Sequence, residues 1–237
     1  MRYSFSIVIP VLNEASIINH TIEHLYRLRS DFDVEVIVVD GDPRGATLSA
    51  IHHKDVIKVL SLRGRGTQMN KGASVSKGEL LLFLHTDTEL PEDAFSIITS
   101  FMQSANCVGG AFELGIDSSR PVFRLIERMV SARTRFTNVP YGDQAIFIKK
   151  EFFHEISGFK DIPLMEDVEL MRRIKQRGYR ICIIPRQLKT SPRRWEREGV
   201  LYCTLRNWAL ISLYSLGVSP EKLVKFYYRD WDTREQV

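Results

Sequence analysis

Five consecutive apolar residues, Leu80 to Leu84, end abruptly in His85, Thr86, Asp87, Thr88 and Glu89, with Pro91 close behind. A run this short and unbroken has no polar face, so it reads as a strand covered on both sides in a parallel sheet. Ligands of open α/β sheets sit beyond the carboxyl ends of such strands. A His, an Asp and a Glu delivered to that edge therefore mark a candidate site. The same residues also read as a plain polar turn, with Asp87 or Thr88 capping a helix entered at Pro91.

The flanking sequence supports the sheet. Strands are expected at residues 5–10, 34–39 and 56–60, and helices at 15–29, 47–53, 67–76 and 91–103. This alternation predicts a doubly wound, parallel α/β sheet through the first hundred residues. The second half is less regular. It reads as a strand at 108–114, a helix at 122–133 and a strand at 144–149, then a helix at 163–176 stopped by Gly178. A strand at 180–184 closed by Pro185 follows, and residues 195–228 are mostly helical with a break at 217–220.

At 237 residues, 44% hydrophobic and 26% charged, the chain suits one large globular domain. Its formal net charge is only +4, but between Met171 and Arg197 ten Arg and Lys residues face a single acid, Glu196. That block suits nucleic acid, anionic lipid or a substrate phosphate, or is a solvated face. Aromatics interleave with it only at Tyr179 and Trp195, which argues against nucleic acid. Cys107, Cys182 and Cys203 are odd in number and lack CxxC spacing, so reduced packing residues are expected. No signal peptide is expected, and a cytoplasmic location follows. The apolar stretch 200–218 contains Arg206 and Asn207, which disfavour a span. Trp208, Leu210 and Tyr214 leave open a peripheral seat for the C-terminal helices on the inner membrane face.

Three strand ends bring polar groups to one edge: Asn13 and Glu14, Asp40 and Asp42, and His85 with Asp87. Carboxylates there can accept hydrogen bonds from a base and ribose. Arg63 and Arg65 on the loop RGRG, with a helix start near Thr67, can hold phosphate oxygens. Neither GxxxxGK[ST] nor a GxGxxG after the first strand is present. Nucleotide binding by another geometry is the reading.

FSIVIPVLNEA, EVIVVDGD, FLHTDTELP and MEDVELMRRIKQRGYRI together resemble family 2 glycosyltransferases of the GT-A fold. RGRGTQMNKGA, GGAF, YGDQAIFI and SPRRWEREG resemble a small bacterial subgroup, the selenodomain-associated transferases. The resemblance covers nearly the whole chain, from Phe5 to Tyr228. It implies one GT-A domain over 1–237, with a nucleotide-binding half at 1–105, an acceptor and catalytic half at 106–198, and a helical extension beyond. Pro10, Val11, Asn13, Glu14 and Asp40 would line the base and ribose, with Arg63, Arg65, His85 and Thr86 nearby. Asp87 matches the last Asp of the DxD motif, whose cation is expected to be Mg²⁺ or Mn²⁺. Asp167 matches the ED motif as general base, so that direct displacement inverts the anomeric centre. The implied donor is a nucleotide-diphosphate sugar, with uridine or guanosine as the expected base.

Two positions depart from the family. His85 replaces the first Asp of DxD, where it can ligate a metal or only bond to the nucleotide. The QxxRW of processive members is reduced to Ser191-x-x-Arg194-Trp195, which favours transfer of a single sugar. Asp143, Gln144, Glu166, Arg194 and Trp195 are acceptor candidates. Without the resemblance, Glu166 and Asp167 read as acids at a helix N-terminus, Asp143–Gln144 as a turn, and Trp195 as core. Rival readings are a nucleotidyltransferase, although PVLNEA stands where its glycine-rich loop belongs, and a non-catalytic module binding nucleotide sugar or anionic membrane.

Overall fold

A computed structural model of the chain describes residues 3–227. Its first part runs β1 (Phe5–Val11), α1 (Ile18–Leu28), β2 (Val34–Asp40), α2 (Ala46–Ser49), β3 (Ile57–Leu60), α3 (Arg65–Val75) and β4 (Leu80–Phe83). These strands pair in parallel in the order β3-β2-β1-β4, as the alternation predicted. β1, β2 and β4 are apolar on both sides because both faces are covered. Ile7, Ile9, Val36, Val38, Leu80 and Leu82 join one core layer, while Val8, Ile37, Val39, Leu81 and Phe83 join the other.

The second part adds β5 (Thr88–Glu89), α4 (Ala94–Ser104), β6 (Gly109–Glu113), α5 (Pro121–Thr137), a 3-10 turn at Gly142–Gln144 and β7 (Phe147–Lys149). Then come α6 (Lys150–Glu155), α7 (Glu166–Gln176), β8 (Ile181–Gln187), β9 (Lys189–Thr190), α8 (Arg193–Glu198), α9 (Val200–Ser215) and α10 (Pro220–Tyr227). The seven-stranded order is β3-β2-β1-β4-β7-β6-β8. β7 is antiparallel to both β4 and β6, so β6 and β8 again run parallel to β1. The carboxyl ends of all six parallel strands therefore open on one edge.

α3 lies unusually close to the sheet. A Cβ on Gly72 would stand 2.3 Å from Val8 Cγ1, so no larger residue fits there without displacing the helix. Gly178 follows α7 at φ 80°, the left-handed conformation that ends helices on glycine.

Several expectations fail locally. Thr88 and Asp87 do not cap a helix: β5 pairs antiparallel with β9, and α4 starts only after Asp93. Pro185 does not close its strand but lies inside β8. That strand is at the sheet edge, where a missing N–H costs no ladder bond, and its register with β6 slips at Phe112/Glu113. α6 was not anticipated, and Tyr228 lies outside the described residues.

Candidate active site

At the amino-terminal half of the shared edge, the chain leaves β1 through Asn13, in the left-handed region at φ 58°. The Glu14 N–H then donates to Thr47 Oγ1 at 3.1 Å. The Asp40 carboxylate is fully buried and accepts the N–H of Asp42 at 2.9 Å and of Thr47 at 3.1 Å. Gln68 of α3 donates from Nε2 to the carbonyls of Val11 and Val39, both at 2.8 Å, tying the ends of β1 and β2 together. Burial pushes the Glu14 carboxyl up, Arg193 at 3.7 Å opposes this, and Asp87 adds to it.

β4 delivers His85, Thr86 and Asp87 to the centre of the edge. The Thr86 carbonyl accepts Thr21 Oγ1 at 2.6 Å, and the Asp87 carbonyl accepts the Ser191 N–H at 2.9 Å. Burial, aided by the charge of Arg65, holds the His85 imidazole down at about 3, so it is neutral at physiological pH. The 3-10 turn closes over these residues. Gly142 donates its N–H to Asp167 Oδ2 at 2.6 Å, and a Cβ there would lie 3.4 Å from both Asp167 Oδ2 and His85 Nε2.

Beside Gly142, burial raises the Asp143 carboxyl to about 6; Arg133 and Arg65 oppose the rise, and Asp167 and Asp87 add to it. Its Oδ1 is buried without a hydrogen-bond partner among the described residues. The Arg133 guanidinium lies 3.3 Å above the Tyr141 ring centre. Burial brings it down to about 10, with Asp143 and Asp167 holding it up. Gln144, fully buried, is held at both ends of its amide: Oε1 accepts from the Tyr141 N–H at 3.1 Å and Thr134 Oγ1 at 3.2 Å, and Nε2 donates to the Phe112 carbonyl at 2.9 Å. Arg65 reaches Glu166 Oε1 at 3.6 Å, and burial raises the Glu166 carboxyl against that charge.

The fold thus brings Arg65, His85, Asp87, Asp143, Gln144, Glu166 and Asp167 to one place, and couples Glu14 to Asp87 from the side. Pro10 and the buried Val11 end β1 beside them, while Arg63 is exposed on its loop. The Asp40 carboxylate is consumed by its own loop. Arg194 is turned away, paired with Glu198 at 3.0 Å and with the Tyr227 hydroxyl. Trp195 is half-buried, edge-on to Phe123 at 6.0 Å. The basic block is dispersed over intramolecular partners. Arg173 holds Glu169, Arg186 holds Asp93 and Arg193 holds Glu14. Of the residues considered for a membrane seat, Leu210 is buried and Tyr214 lies under Arg172, so only Trp208 is largely exposed. No helix among the described residues is long and apolar enough to cross a membrane.

Three contributors escaped the sequence reading. Arg133 is hidden in an ordinary amphipathic helix, and Tyr141 belongs to a loop read for its neighbours. Gln68 carried a usable signal, being a polar residue on the Met69–Gly72–Ala73 face of α3.

Comparison with known proteins bears on the family and the fold. The profile described as "Glycosyl transferase family 2" matches residues 6–160, more than half of the chain. A "Probable glycosyltransferase YdaM" from Bacillus subtilis (strain 168) is 24% identical over 81% of this chain, which spans 50% of that relative's length. Among solved structures, a mannosyltransferase from Pyrobaculum calidifontis in complex with GDP-Man and Mn²⁺ superposes with a TM-score of 0.60 at 22% identity, over 80% of this chain and 57% of that one. S. aureus TarS 1-349 in complex with UDP-GlcNAc gives a TM-score of 0.59 at 16% identity, over 79% of this chain and 58% of that one. At these identities the structural likenesses establish a common fold, and the profile establishes the family. The chain belongs to glycosyl transferase family 2, and its mixed, mostly parallel sheet is a GT-A fold.

Proposed function

We propose that this chain moves one sugar from a nucleoside-diphosphate sugar to an acceptor hydroxyl, inverting the anomeric carbon, with Asp167 as the base. The observation that carries the reading is the convergence of Asp87, Asp143 and Asp167 with Arg65, Arg133 and His85 at the carboxyl edge of the sheet. In the proposed step the acceptor oxygen bonds to the anomeric carbon as its proton passes to the Asp167 carboxylate. The bond between that carbon and the diphosphate oxygen breaks, and its electron pair leaves with the nucleoside diphosphate. Asp167 is suited to the role because Gly142 fixes its Oδ2, so no rotamer search precedes proton transfer. Arg65 and Arg133 place positive charge where the departing diphosphate becomes more negative. Residues 1–105 would hold the donor and residues 106–198 the acceptor and base. Within the family we place the chain with the selenodomain-associated transferases, on RGRGTQMNKGA, YGDQAIFI and SPRRWEREG.

The orphaned Asp143 Oδ1, with the charges of Asp87 and Asp167 nearby, is chemistry that an oxygen-seeking cation satisfies. Among the described residues no group of three or more His, Cys, Asp or Glu could hold an ion by itself. The fit is therefore to Mg²⁺ or Mn²⁺ bound through one or two carboxylates, with water and substrate phosphate completing the sphere. Asp87 would be its principal protein ligand. When bound, such an ion neutralises the charge of the leaving diphosphate.

The test is a panel of UDP-, GDP- and dTDP-sugars with Mn²⁺, read by thermal shift and then by turnover, on wild type and Asp167→Asn. The variant should bind the stabilising donor as wild type does and lose about a hundredfold or more in turnover. Wild-type turnover in the variant would remove the base. Donor binding by wild type without hydrolysis or transfer to any acceptor would leave only a binding module.

A further inference from the structure

Along the same sheet edge, beyond Gln144, a cavity of about 480 Å³ opens between α5 and the ends of β6 and β8. Its walls include Glu113, Arg124, Glu127, Arg128, Ser131 and Arg135. Each of the two carboxylates is engaged through its Oε1. Glu113, the last residue of β6, is wrapped by Arg135 Nε at 2.6 Å and Nη2 at 2.5 Å. Glu127 accepts the Ile116 N–H at 2.6 Å and Arg124 Nη2 at 2.9 Å. Arg124 Nη2 also donates to the Ile116 carbonyl at 2.6 Å.

Two donors stay outside these pairs. Arg128 is exposed and forms no ion pair or hydrogen bond among the described residues, and Arg135 keeps Nη1 free of Glu113. Three arginines against two glutamates leave the cavity net positive. Burying two ion-paired carboxylates costs desolvation that apolar residues of the same volume would avoid. A polar wall of this kind is a poor device for stability and a good one for recognition.

The cavity and the candidate centre share the carboxyl edge of β6. Glu113 follows Phe112, whose carbonyl holds Gln144, and α5 presents Ser131 to the cavity and, from its other side, Arg133 to the centre. We propose that this cavity is an anion subsite for the acceptor, taking a phosphate or carboxylate of an acidic acceptor whose hydroxyl reaches Asp167. The proposal rests on the transferase reading above. The phosphate of a soluble metabolite and that of a lipid headgroup present the same chemistry. The outer face of α5 exposes Val122, Leu125, Met129 and Phe136 beside these arginines, which makes the lipid source worth a separate arm.

The test uses the full chain with inorganic phosphate, glycerol 3-phosphate and glycerol as soluble probes, and phosphatidylglycerol and phosphatidylcholine vesicles as lipid probes. Binding is read by calorimetry and transfer by mass spectrometry. Phosphate and glycerol 3-phosphate should bind wild type and Asp167→Asn alike, and bind Arg128→Glu at least tenfold more weakly, with Arg128→Gln between them. Donor affinity should change less than twofold in both Arg128 variants. Transfer to glycerol 3-phosphate over glycerol identifies a soluble acceptor class, and transfer on phosphatidylglycerol vesicles alone identifies a lipid one. Phosphate binding unchanged in Arg128→Glu overturns the subsite, as does phosphate displacing the nucleotide sugar. Phosphate bound through Arg128 in a chain that neither hydrolyses nor transfers any sugar counts against the transferase reading, and leaves the cavity an anion site without an acceptor role.

Discussion

Asp143 and Asp167 are neighbours under different constraints. Asp167 is anchored by the Gly142 N–H, whereas Asp143 has a buried, unbonded oxygen and a carboxyl raised to about 6 from 3.8. A group whose acidity is weakened by folding binds more protons in the folded chain than in the unfolded one between those two values. Stability therefore falls as pH rises through the window and is regained on acidification. In chelated, metal-free protein, Asp143→Asn should be more stable than wild type at pH 8, by roughly 2 kcal/mol. The advantage should vanish near pH 3.5. Melting temperatures across that range check it, and a pH-independent difference would remove the explanation. At the proposed cation ligand, Asp87→Ala should abolish the Mn²⁺-dependent part of donor binding. Calorimetry giving equal donor affinity with Mn²⁺ and with a chelator, in wild type and variant alike, would refute that assignment. Strain gathers at the same place. Asn13, Ala145 and Met165 all have positive φ (58°, 49° and 68°), and each lies within two residues of Glu14, Asp143 or Asp167. Such backbone persists where the surroundings over-determine it, as they do at sites.

Among the elements, α3 shows how the edge is held open. Gln68 is 5% exposed, and its amide is the partner of two strand-end carbonyls. Gln68→Met keeps the volume but removes both bonds, leaving the Val11 carbonyl with only the Gly41 N–H at 3.0 Å, so it should cost about 2 kcal/mol. Urea unfolding measures this; a loss below about 0.5 kcal/mol would mean that water replaces the amide. The elements also show what sequence patterns can carry. β1, β2 and β4 were legible because burial on both faces leaves unbroken apolar runs, and α7 because its apolar positions follow one helical stripe. β5 and β9 were not, since a two-residue pair joining Thr88 to Thr190 leaves no periodicity at all. α6 is six residues long, too short to show a stripe. In the site, Asp87 and Asp167 stood out by their motifs. Arg133 did not, because an arginine on a helix surface looks the same whether it faces water or a carboxylate from another part of the chain.

At the scale of the whole molecule, the C-terminal helices are more than an appendage. Leu210 of α9 and Leu223 of α10 share a buried cluster with Leu164, Met165 and Val168, the residues flanking Asp167. What docks the helices is an ionic clamp. Glu198, 8% exposed, receives Arg194 at 3.0 Å and the buried Arg206 at 2.6 Å, and both guanidinium groups stack over Tyr227. Removing the carboxylate charge leaves two partly or wholly buried cations facing each other, a change worth roughly 3 kcal/mol. Glu198→Gln should therefore loosen α9 and α10 without unfolding the sheet. Hydrogen exchange should quicken in those helices and across residues 164–168, while β1, β2 and β4 keep their protection. Turnover should fall with little change in the fold of the sheet, because Leu210 and Leu223 pack on Met165 and Val168 on either side of Asp167. Faster exchange spread evenly over the sheet would show that the clamp stabilises the fold as a whole, and that the C-terminal helices do not act on the base through Met165.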